Sequence, residues 1–302
     1  MIALCGMVAG RRRLTAQDAP PPDTGSEENE LNPYRAPVVP PPLPVSDDLA
    51  PTGRFDRVRV SWVRGFDFLI IGAILSLYLW PLVLALLGKL PEEAAKIELV
   101  TLISTMVMQI LFAVLIVGVV FWRIKAGTWL GMAWPGKSGV EWAKFLVSVP
   151  VCIGATWMFF SLLYFTGYIE WVQSIEGGDG QQEVVKAFQE IEDPLTLVML
   201  VVMAAIVAPV TEEIIFRGYL YPVLKSRTGR TAAIIVSALV FAAVHHNAIA
   251  LAPLAFLAIL LAISFEFTGS IWLPMAIHAA FNTFTVIGQL LVKFGYIPTP
   301  AS

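Results

Sequence analysis

The sequence predicts an all-α fold, a polytopic bundle of about seven transmembrane helices (six to eight) behind a disordered N-terminal tail. Of the 302 residues, 57% are hydrophobic and only 14% are charged, and the mean hydropathy is +0.73. Soluble globular domains carry roughly 25% charged residues. Several apolar stretches reach the length of about 20 residues that one helix needs to cross a bilayer core. Composition and segment length together indicate an integral membrane protein.

The first 60 residues differ in composition from the rest of the chain. They contain ten of the 21 prolines, some in the runs 20–22 and 40–42, together with 15 charged side chains. A segment of this composition buries too little apolar surface to fold. We therefore expect a disordered, Pro-rich tail over 1–60, membrane helices with their connections over 61–193, and a second helical region over 194–295.

Seven apolar segments after the tail are long enough to be membrane helices. A short amphipathic helix on the membrane surface is also expected over 181–191, between the third and fourth of them. The predicted spans are 66–87, 99–122, 145–166, 195–222, 231–249, 251–267 and 271–292.

Lysine and arginine are distributed unevenly among the connections. They are concentrated before the first span, after the second and after the fourth, and they are sparse in the intervening connections. Cytoplasmic connections are the cation-rich ones, so this alternation predicts a cytoplasmic N-terminus. Since no eukaryotic targeting feature is recognisable, we expect the membrane to be a bacterial inner (plasma) membrane.

Ionisable side chains inside the spans are few, and such residues are costly in a membrane and usually functional. Glu213 and Arg217 are four residues apart, with the acid first, which favours an ion pair on one helix. Glu212 points about 100° away from Glu213 and needs a partner on another helix. Glu266, near the end of its span, is expected to reach the membrane interface.

The turn around Gly229 predicts the partner of Glu212. In an antiparallel pair, residues equidistant from the turn lie at the same depth, and the midpoint of 212 and 245 is 228.5. Glu212 and His245 should therefore lie level inside the membrane, with their polar atoms about 6 Å or less apart and able to share one water. A carboxylate beside an imidazole is suited to general-base activation of water.

The last span carries a second polar pair. His278 and Asn282 are four residues apart and share one face of a helix, where both can donate hydrogen bonds to a developing oxyanion. Phe241 lies one turn before His245 and is expected to form an aromatic wall beside it. Each polar residue alone has a structural explanation, but four of them at one depth are difficult to explain by packing.

Three motifs in these spans resemble those of one family. Residues 212–217 (EEIIFR) fit the pattern EExxxR, 241–245 (FAAVH) fit FxxxH and 278–282 (HAAFN) fit HxxxN. In this order, over about 195–285, the chain is similar to the CAAX protease and bacteriocin-processing family, abbreviated CPBP and also known as the Abi type. The resemblance implies that 194–295 is a catalytic core, that of a glutamate-dependent intramembrane endopeptidase with no metal and no other cofactor.

The resemblance also implies roles for the motif residues. Glu212 with His245 would activate the water, while His278 and Asn282 would hold the oxyanion. Glu213 and Arg217 would support the site. The expected partners are a membrane-associated peptide or protein substrate and the lipid bilayer, with no nucleic acid, whereas the identity of the substrate and the oligomeric state are not predicted.

Two other classes of function remain open on the sequence. A zinc metalloprotease would use Glu212, His245 and His278 as ligands, although the chain has no HExxH motif and its histidines fall on different spans. A proton-coupled transporter, or a non-catalytic scaffold or immunity protein, is the alternative from another class, because acid–histidine pairs also relay protons. Transporters often contain internal repeats, and none is recognisable in this sequence.

Overall fold

A computed structural model describes Val58, Val60 and residues 63–87, 99–121, 139–176 and 183–298. Apart from Val58 and Val60, the tail predicted over 1–60 lies outside the described residues. Within them every regular element is a helix, which confirms the predicted all-α class. The short helix expected over 181–191 is present as α5, and α4 is a helix that the sequence did not predict. The helices are α1 (Asp67–Leu86), α2 (Leu99–Phe121), α3 (Gly139–Phe165), α4 (Tyr168–Glu176), α5 (Glu183–Glu190), α6 (Pro194–Val202), the π-helix π1 (Met203–Val207), α7 (Ala208–Ile215), the π-helix π2 (Phe216–Leu220), α8 (Tyr221–Thr228), α9 (Arg230–Ala243), α10 (Ala248–Thr268) and α11 (Trp272–Lys293).

Five helical segments of the described chain are long and apolar enough to cross a membrane. They are Leu99–Val119, Trp142–Phe165, Pro194–Thr228, Ala248–Thr268 and Trp272–Lys293. The apolar part of α1, Asp67–Trp80, and the whole of α9 are shorter. The 14 residues of α9 extend about 21 Å, less than the bilayer core of about 30 Å. The chain is an integral membrane protein, but the predicted count of seven spans is not confirmed.

The long segment Pro194–Thr228 is not a regular α-helix. In π1 the amide of Ala208 donates to the carbonyl of Met203, five residues earlier instead of four. Pro209 explains this irregularity, because a proline has no N–H and its ring clashes with the carbonyl four residues before it, which lies inside π1. Pro222 stands in the same relation to π2. These two π turns set the rotation of α7, the short helix between them.

The helix α9 ends earlier than the sequence predicts. A span over 231–249 is wrong at its C-terminal end, since α9 stops at Ala243 and His245 lies in the loop before α10. Asn247 caps α10 by accepting a hydrogen bond from the amide of Ala250 at 2.7 Å. His246 has a φ of 50°, the left-handed conformation that β-carbon-bearing residues seldom adopt. The loop therefore makes its turn at a strained position directly beside His245.

Polar contacts fix the two ends of the bundle. At one end, Lys225 of α8 donates to the carbonyl of Val58 at 3.0 Å and the Arg227 guanidinium lies over the ring of Phe68. At the other end the hydroxyl of Tyr168 donates to the carbonyl of Ala248 at 3.0 Å. Near the chain terminus, Lys293 of α11 donates to the carbonyl of Gln189 in α5 at 3.0 Å.

Glu266 does not behave as the sequence predicted. Its side chain is 3% exposed and forms an ion pair with Lys225 at 2.5 Å, and its Oε1 also accepts a hydrogen bond from Tyr221. The expectation that Glu266 simply reaches the interface is wrong, because α8 and α10 lie close enough for Lys225 to neutralise its charge inside the bundle. The contact ties the base of the α8–α9 hairpin to α10.

Candidate active site

Glu213, Arg217 and His278 form a buried polar cluster between α7, π2 and α11. The ion pair predicted from the i, i+4 spacing is present, with 2.8 Å between Arg217 Nη1 and Glu213 Oε1. The same carboxylate oxygen accepts a hydrogen bond from Nδ1 of His278 at 2.9 Å. A carboxylate that accepts from this nitrogen requires a proton on Nδ1. Glu213 therefore determines which ring nitrogen of His278 faces away.

Arg217 and Phe241 bind the cluster to the helices around it. Nη2 of Arg217 donates to the carbonyl of Ala258 in α10 at 3.1 Å, and the guanidinium lies 4.6 Å from the ring centroid of Phe241 in α9. The Phe241 ring lies edge to face with the ring of His278 at a centroid distance of 5.6 Å. It also contacts the ring of His245 at 4.9 Å. Phe241 thus separates two imidazoles that both border the site.

Glu212 is a largely buried acidic residue that forms no hydrogen bond among the described residues. Its side chain is 13% exposed, and its Oε2 atom is buried with no hydrogen-bond partner among the described residues. The Nε2 atom of His278 lies 3.9 Å from this Oε2 atom. This separation exceeds a direct hydrogen bond and suits two groups that share one water.

The hairpin register agrees with the sequence argument, and Glu212 has a further neighbour, His278, that the sequence did not predict. Phe216 and Phe241 are equidistant from position 228.5, and their rings meet edge to face at 5.0 Å. In the described part of the chain, no hydrogen bond or ion pair joins Glu212 to His245. The proposed approach of these two side chains within about 6 Å stays a prediction.

His245 is oriented by a residue of the preceding helix, α9. Its Nδ1 lies 2.7 Å from the carbonyl oxygen of Phe241, and a carbonyl only accepts, so Nδ1 carries a proton. In the neutral ring Nε2 is then the basic nitrogen. No described residue hydrogen-bonds to Nε2.

One amide hydrogen of the Asn282 side chain is used in a hydrogen bond to a backbone carbonyl. The π1 turn directs the amide of Ala208 to Met203, and the residue five positions after Ala204 is Pro209, which has no N–H. The carbonyl of Ala204 is thereby left without a donor from its own helix. Nδ2 of Asn282 supplies one at 2.8 Å. One amide hydrogen of Asn282 is used in this way, and the other is not used by any described residue.

Sequence reasoning missed a residue on α1. Tyr78 has a buried hydroxyl oxygen with no hydrogen-bond partner in the described chain, a property it shares with Oε2 of Glu212 and Oε2 of Glu213. A tyrosine in the run LSLYLWP shows no spacing that would single it out. Only the three-dimensional arrangement reveals the unpaired hydroxyl.

The chemistry of the cluster is that of buried acid and imidazole groups around unpaired oxygens. Among the described residues, no three His, Cys, Asp or Glu side chains are grouped so that they could hold a metal ion. Buried polar atoms without protein partners are commonly satisfied by ordered water or by a ligand. A carboxylate with such a water is able to act as a general base.

Two comparisons with known proteins relate this site to peptidases. Residues 194–284 match the family model described as "Type II CAAX prenyl endopeptidase Rce1-like". The chain is also similar to "Putative membrane peptidase YdiL" of Bacillus subtilis (strain 168), with 32% identity over 139 residues. That alignment covers 44% of this chain and 54% of the relative, so the chain spans about half the length of the curated relative it matches. No solved structure matches the chain.

The matched segment is the one that carries the three motifs. It begins at the start of α6 and ends in α11, after Asn282. The family that the motifs resemble and the family found by comparison are the same. Over residues 194–284, the chain is therefore similar to the CAAX protease family that its three motifs resemble.

Proposed function

We propose that the chain is an intramembrane endopeptidase that hydrolyses a peptide bond of a membrane-associated protein, using a water activated by Glu212 and no metal. The proposal rests on the surroundings of the Glu212 carboxylate. Its Oε2 is buried without a hydrogen-bond partner in the described chain and lies 3.9 Å from Nε2 of His278. The similarity of the chain to an endopeptidase family and to a protein named as a membrane peptidase supports a hydrolase of this kind.

Glu212 and His245 are the groups that act on the water. Glu212 accepts a proton from the water while the water oxygen attacks the carbonyl carbon of the substrate, and the C=O electron pair moves onto the carbonyl oxygen. When the C–N bond breaks, the departing amine takes the proton held by Glu212. His245 presents its Nε2 to the second hydrogen of the water, because its Nδ1 is fixed on the carbonyl of Phe241.

His278 and Asn282 are the groups proposed to hold the oxyanion. Since Nδ1 of His278 donates to Glu213, donation to the oxyanion requires a second proton, on Nε2. Asn282 has one amide hydrogen on the carbonyl of Ala204 and offers the other. Preorganised donors of this type stabilise the charge that develops in the transition state. Glu213, Arg217 and Phe241 position these groups and do not themselves take up protons.

We place this activity in a bacterial plasma membrane, with the N-terminus in the cytoplasm. The alternation of cationic connections and the bacterial origin of the matched relative support this setting. The contacts of Lys225 with Val58 and of Arg227 with Phe68 agree with it, because they bring two of the cation-rich segments to one end of the bundle. The proposed substrates are proteins that reach the site from the same bilayer.

The test compares membranes that contain the wild-type chain with membranes that contain Glu212→Gln. New protein N-termini identified by mass spectrometry should appear with the wild type and not with the variant. A peptide that spans one such cleavage site should then be cut by the purified wild type in detergent. The Glu212→Gln variant should be about 10²–10⁴-fold slower in kcat, the usual contribution of a general base.

Two outcomes would contradict the proposal. Equal cleavage by wild type and Glu212→Gln would remove the proposed base. Loss of wild-type activity after dialysis against a chelator, with stoichiometric recovery on addition of zinc, would favour the zinc metalloprotease that uses Glu212, His245 and His278. The expected result is activity that survives chelation.

A further inference from the structure

A tyrosine outside the family-matched segment places an unpaired hydroxyl at the site. Tyr78 belongs to α1, whereas the match begins at residue 194. Its Oη is buried and has no hydrogen-bond partner among the described residues, and the same holds for Oε2 of Glu212. A buried hydroxyl without a partner is costly, so its persistence needs a reason.

The backbone of Tyr78 is attached to the loop that carries the catalytic imidazole. Nε2 of His246 lies 3.0 Å from the carbonyl oxygen of Tyr78, which makes His246 the donor. His246 is the residue with the left-handed φ of 50°, next to His245 in the α9–α10 loop. Strained residues of this kind persist where the surroundings determine their conformation, often at functional sites.

The side chain of Tyr78 packs against the aromatic part of the site. It contacts the hydrophobic cluster that contains Ile215, Phe216 and Phe241. The charge of Glu212 acts on the Tyr78 hydroxyl, so the two groups lie within electrostatic range of one another. Tyr78 thus brings its unpaired hydroxyl to the part of the core that Phe216 and Phe241 share with the polar cluster.

We propose that Tyr78 is a further catalytic residue, whose hydroxyl donates a hydrogen bond to the water that Glu212 activates. This inference rests on the proposed function. The water gives one hydrogen to Glu212 and directs its second to an imidazole nitrogen. Of its two lone pairs, one attacks the substrate carbonyl and the other accepts from Tyr78. Tyr78 keeps its proton throughout, and its hydrogen bond fixes the direction in which the attacking lone pair points.

The hydrogen bond to the water requires a donor that the two glutamates do not supply. Glu212 and Glu213 are acceptors when ionised, and the protonated Nδ1 atoms of His245 and His278 are already engaged by Phe241 and Glu213. A tyrosine hydroxyl supplies a donor without adding a charge to the membrane interior. This accounts for a polar group at an otherwise apolar point of α1.

The decisive variant is Tyr78→Phe, which removes the hydroxyl and keeps the ring. We expect kcat to fall about 10- to 100-fold, the order expected when one hydrogen bond that positions a reacting group is lost, with KM little changed. The thermal unfolding midpoint should stay the same or rise, because a buried polar atom without a protein partner is removed. Tyr164→Phe on α3, where the ring is 57% exposed, is the matched control and should leave both quantities unchanged.

Full kcat in Tyr78→Phe would overturn the inference. A parallel fall of kcat and thermal midpoint would also overturn it, since a purely structural tyrosine would produce that result. Both comparisons use a peptide that the wild type cleaves and Glu212→Gln does not, so a chain without protease activity is recognised before the variant is interpreted.

A second measurement does not require activity. Tyr78→Phe and Glu212→Gln form a double-mutant cycle on the unfolding midpoint of the detergent-purified protein. Residues that share one water should give a non-additive cycle, while residues without a shared partner add. An additive cycle would contradict the shared water even if the proposed function is correct.

Discussion

Adjacent carboxylates at 212 and 213 meet different neighbours, because successive helical residues point about 100° apart. Glu213 is completely buried, and its Oε1 accepts from both Arg217 and His278. Glu212 keeps a side chain that is 13% exposed and makes no hydrogen bond within the described chain. The first arrangement stabilises a structure, whereas the second leaves a base available to a water.

At this scale, Glu213→Gln should damage the fold more than the chemistry. The substitution leaves the guanidinium of Arg217 buried without its counterion, a change that typically costs about 3–5 kcal/mol. We expect a clear fall in the thermal unfolding midpoint and in yield. Glu212→Gln, which removes no hydrogen bond seen among the described residues, should unfold within about a degree or two of the wild type, since one kcal/mol shifts the midpoint by only a few degrees.

Differential scanning fluorimetry of the two purified variants in one detergent decides the matter. A Glu213→Gln protein as stable as the wild type would show that the ion pair is not structural. In that case the distinction between the two carboxylates would have to be abandoned.

Some contacts of single residues were accessible from the sequence and others were not. The Glu213–Arg217 pair follows from helical spacing alone, and it is present. The approach of Glu212 to His245 stays a prediction, whereas the contact of Glu212 with His278 was not predicted. The hairpin argument considers only two helices, and it has no access to α11, which packs against α7 from elsewhere in the chain. Tyr78 was missed for the same reason, because α1 is remote in sequence.

At the scale of elements, the distinctive feature is the pair of π turns on either side of α7. Each precedes a proline, and the first leaves the carbonyl of Ala204 to be satisfied by Asn282. Residues 194–228 were predicted as one span over 195–222, with Pro209 visible inside it. Hydropathy reports only that the segment is apolar, while the shift from a four-residue to a five-residue hydrogen bond depends on backbone donors. The C-terminal end of α9 was also mispredicted, because Asn247 caps the next helix within a run that remains apolar.

The substitution Pro209→Ala tests the role of π1. It restores a backbone N–H that can donate to the carbonyl of Ala204 or Ala205, which permits a regular α-helix. When a π turn becomes an α turn, its extra residue moves into the neighbouring turn. This shift of one residue rotates α6 by about 100° relative to Glu212. We expect activity to fall at least about 10²-fold, the loss that misplacement of a reacting group produces. The unfolding midpoint should not fall, because alanine is the better helix former by about 3 kcal/mol.

Pro150→Ala in α3 is the matched control, since Pro150 also lies inside a helix but is exposed and remote from the polar cluster. Cleavage rates and midpoints of the two variants are measured side by side. Unchanged activity in Pro209→Ala would mean that the π turn does not position Glu212.

At the scale of the whole molecule, the exposed side chains indicate that the helices are surrounded by lipid. Large apolar side chains on different helices point outward, among them Leu69 at 76%, Met158 at 72% and Phe165 at 83% exposure. A soluble protein rarely exposes apolar surface on this scale, whereas lipid favours it. The division into a tail over 1–60, helices over 61–193 and a core over 194–295 stays a prediction.

The positions of the helix ends predict which loops share one side of the membrane. The α8–α9 corner lies with the segment before α1, while α4, α5 and the end of α11 lie at the other end. If the N-terminus is cytoplasmic, the corner must be cytoplasmic as well. Three exposed positions report on this, namely Arg227 at the corner, Ser174 in α4 and Tyr296 after α11.

Single cysteines at these positions, in a chain whose Cys5 and Cys152 are replaced, are treated with a membrane-impermeant maleimide in right-side-out vesicles. We expect Ser174→Cys and Tyr296→Cys to react at once, and Arg227→Cys to react only after permeabilisation, because cation-rich connections stay in the cytoplasm. The opposite pattern at all three positions would reverse the orientation and leave the bundle intact. Reaction of Arg227→Cys and Ser174→Cys from the same side would contradict the bundle itself, since the hydrogen bonds of Lys225 and Tyr168 place these two residues at opposite ends of it.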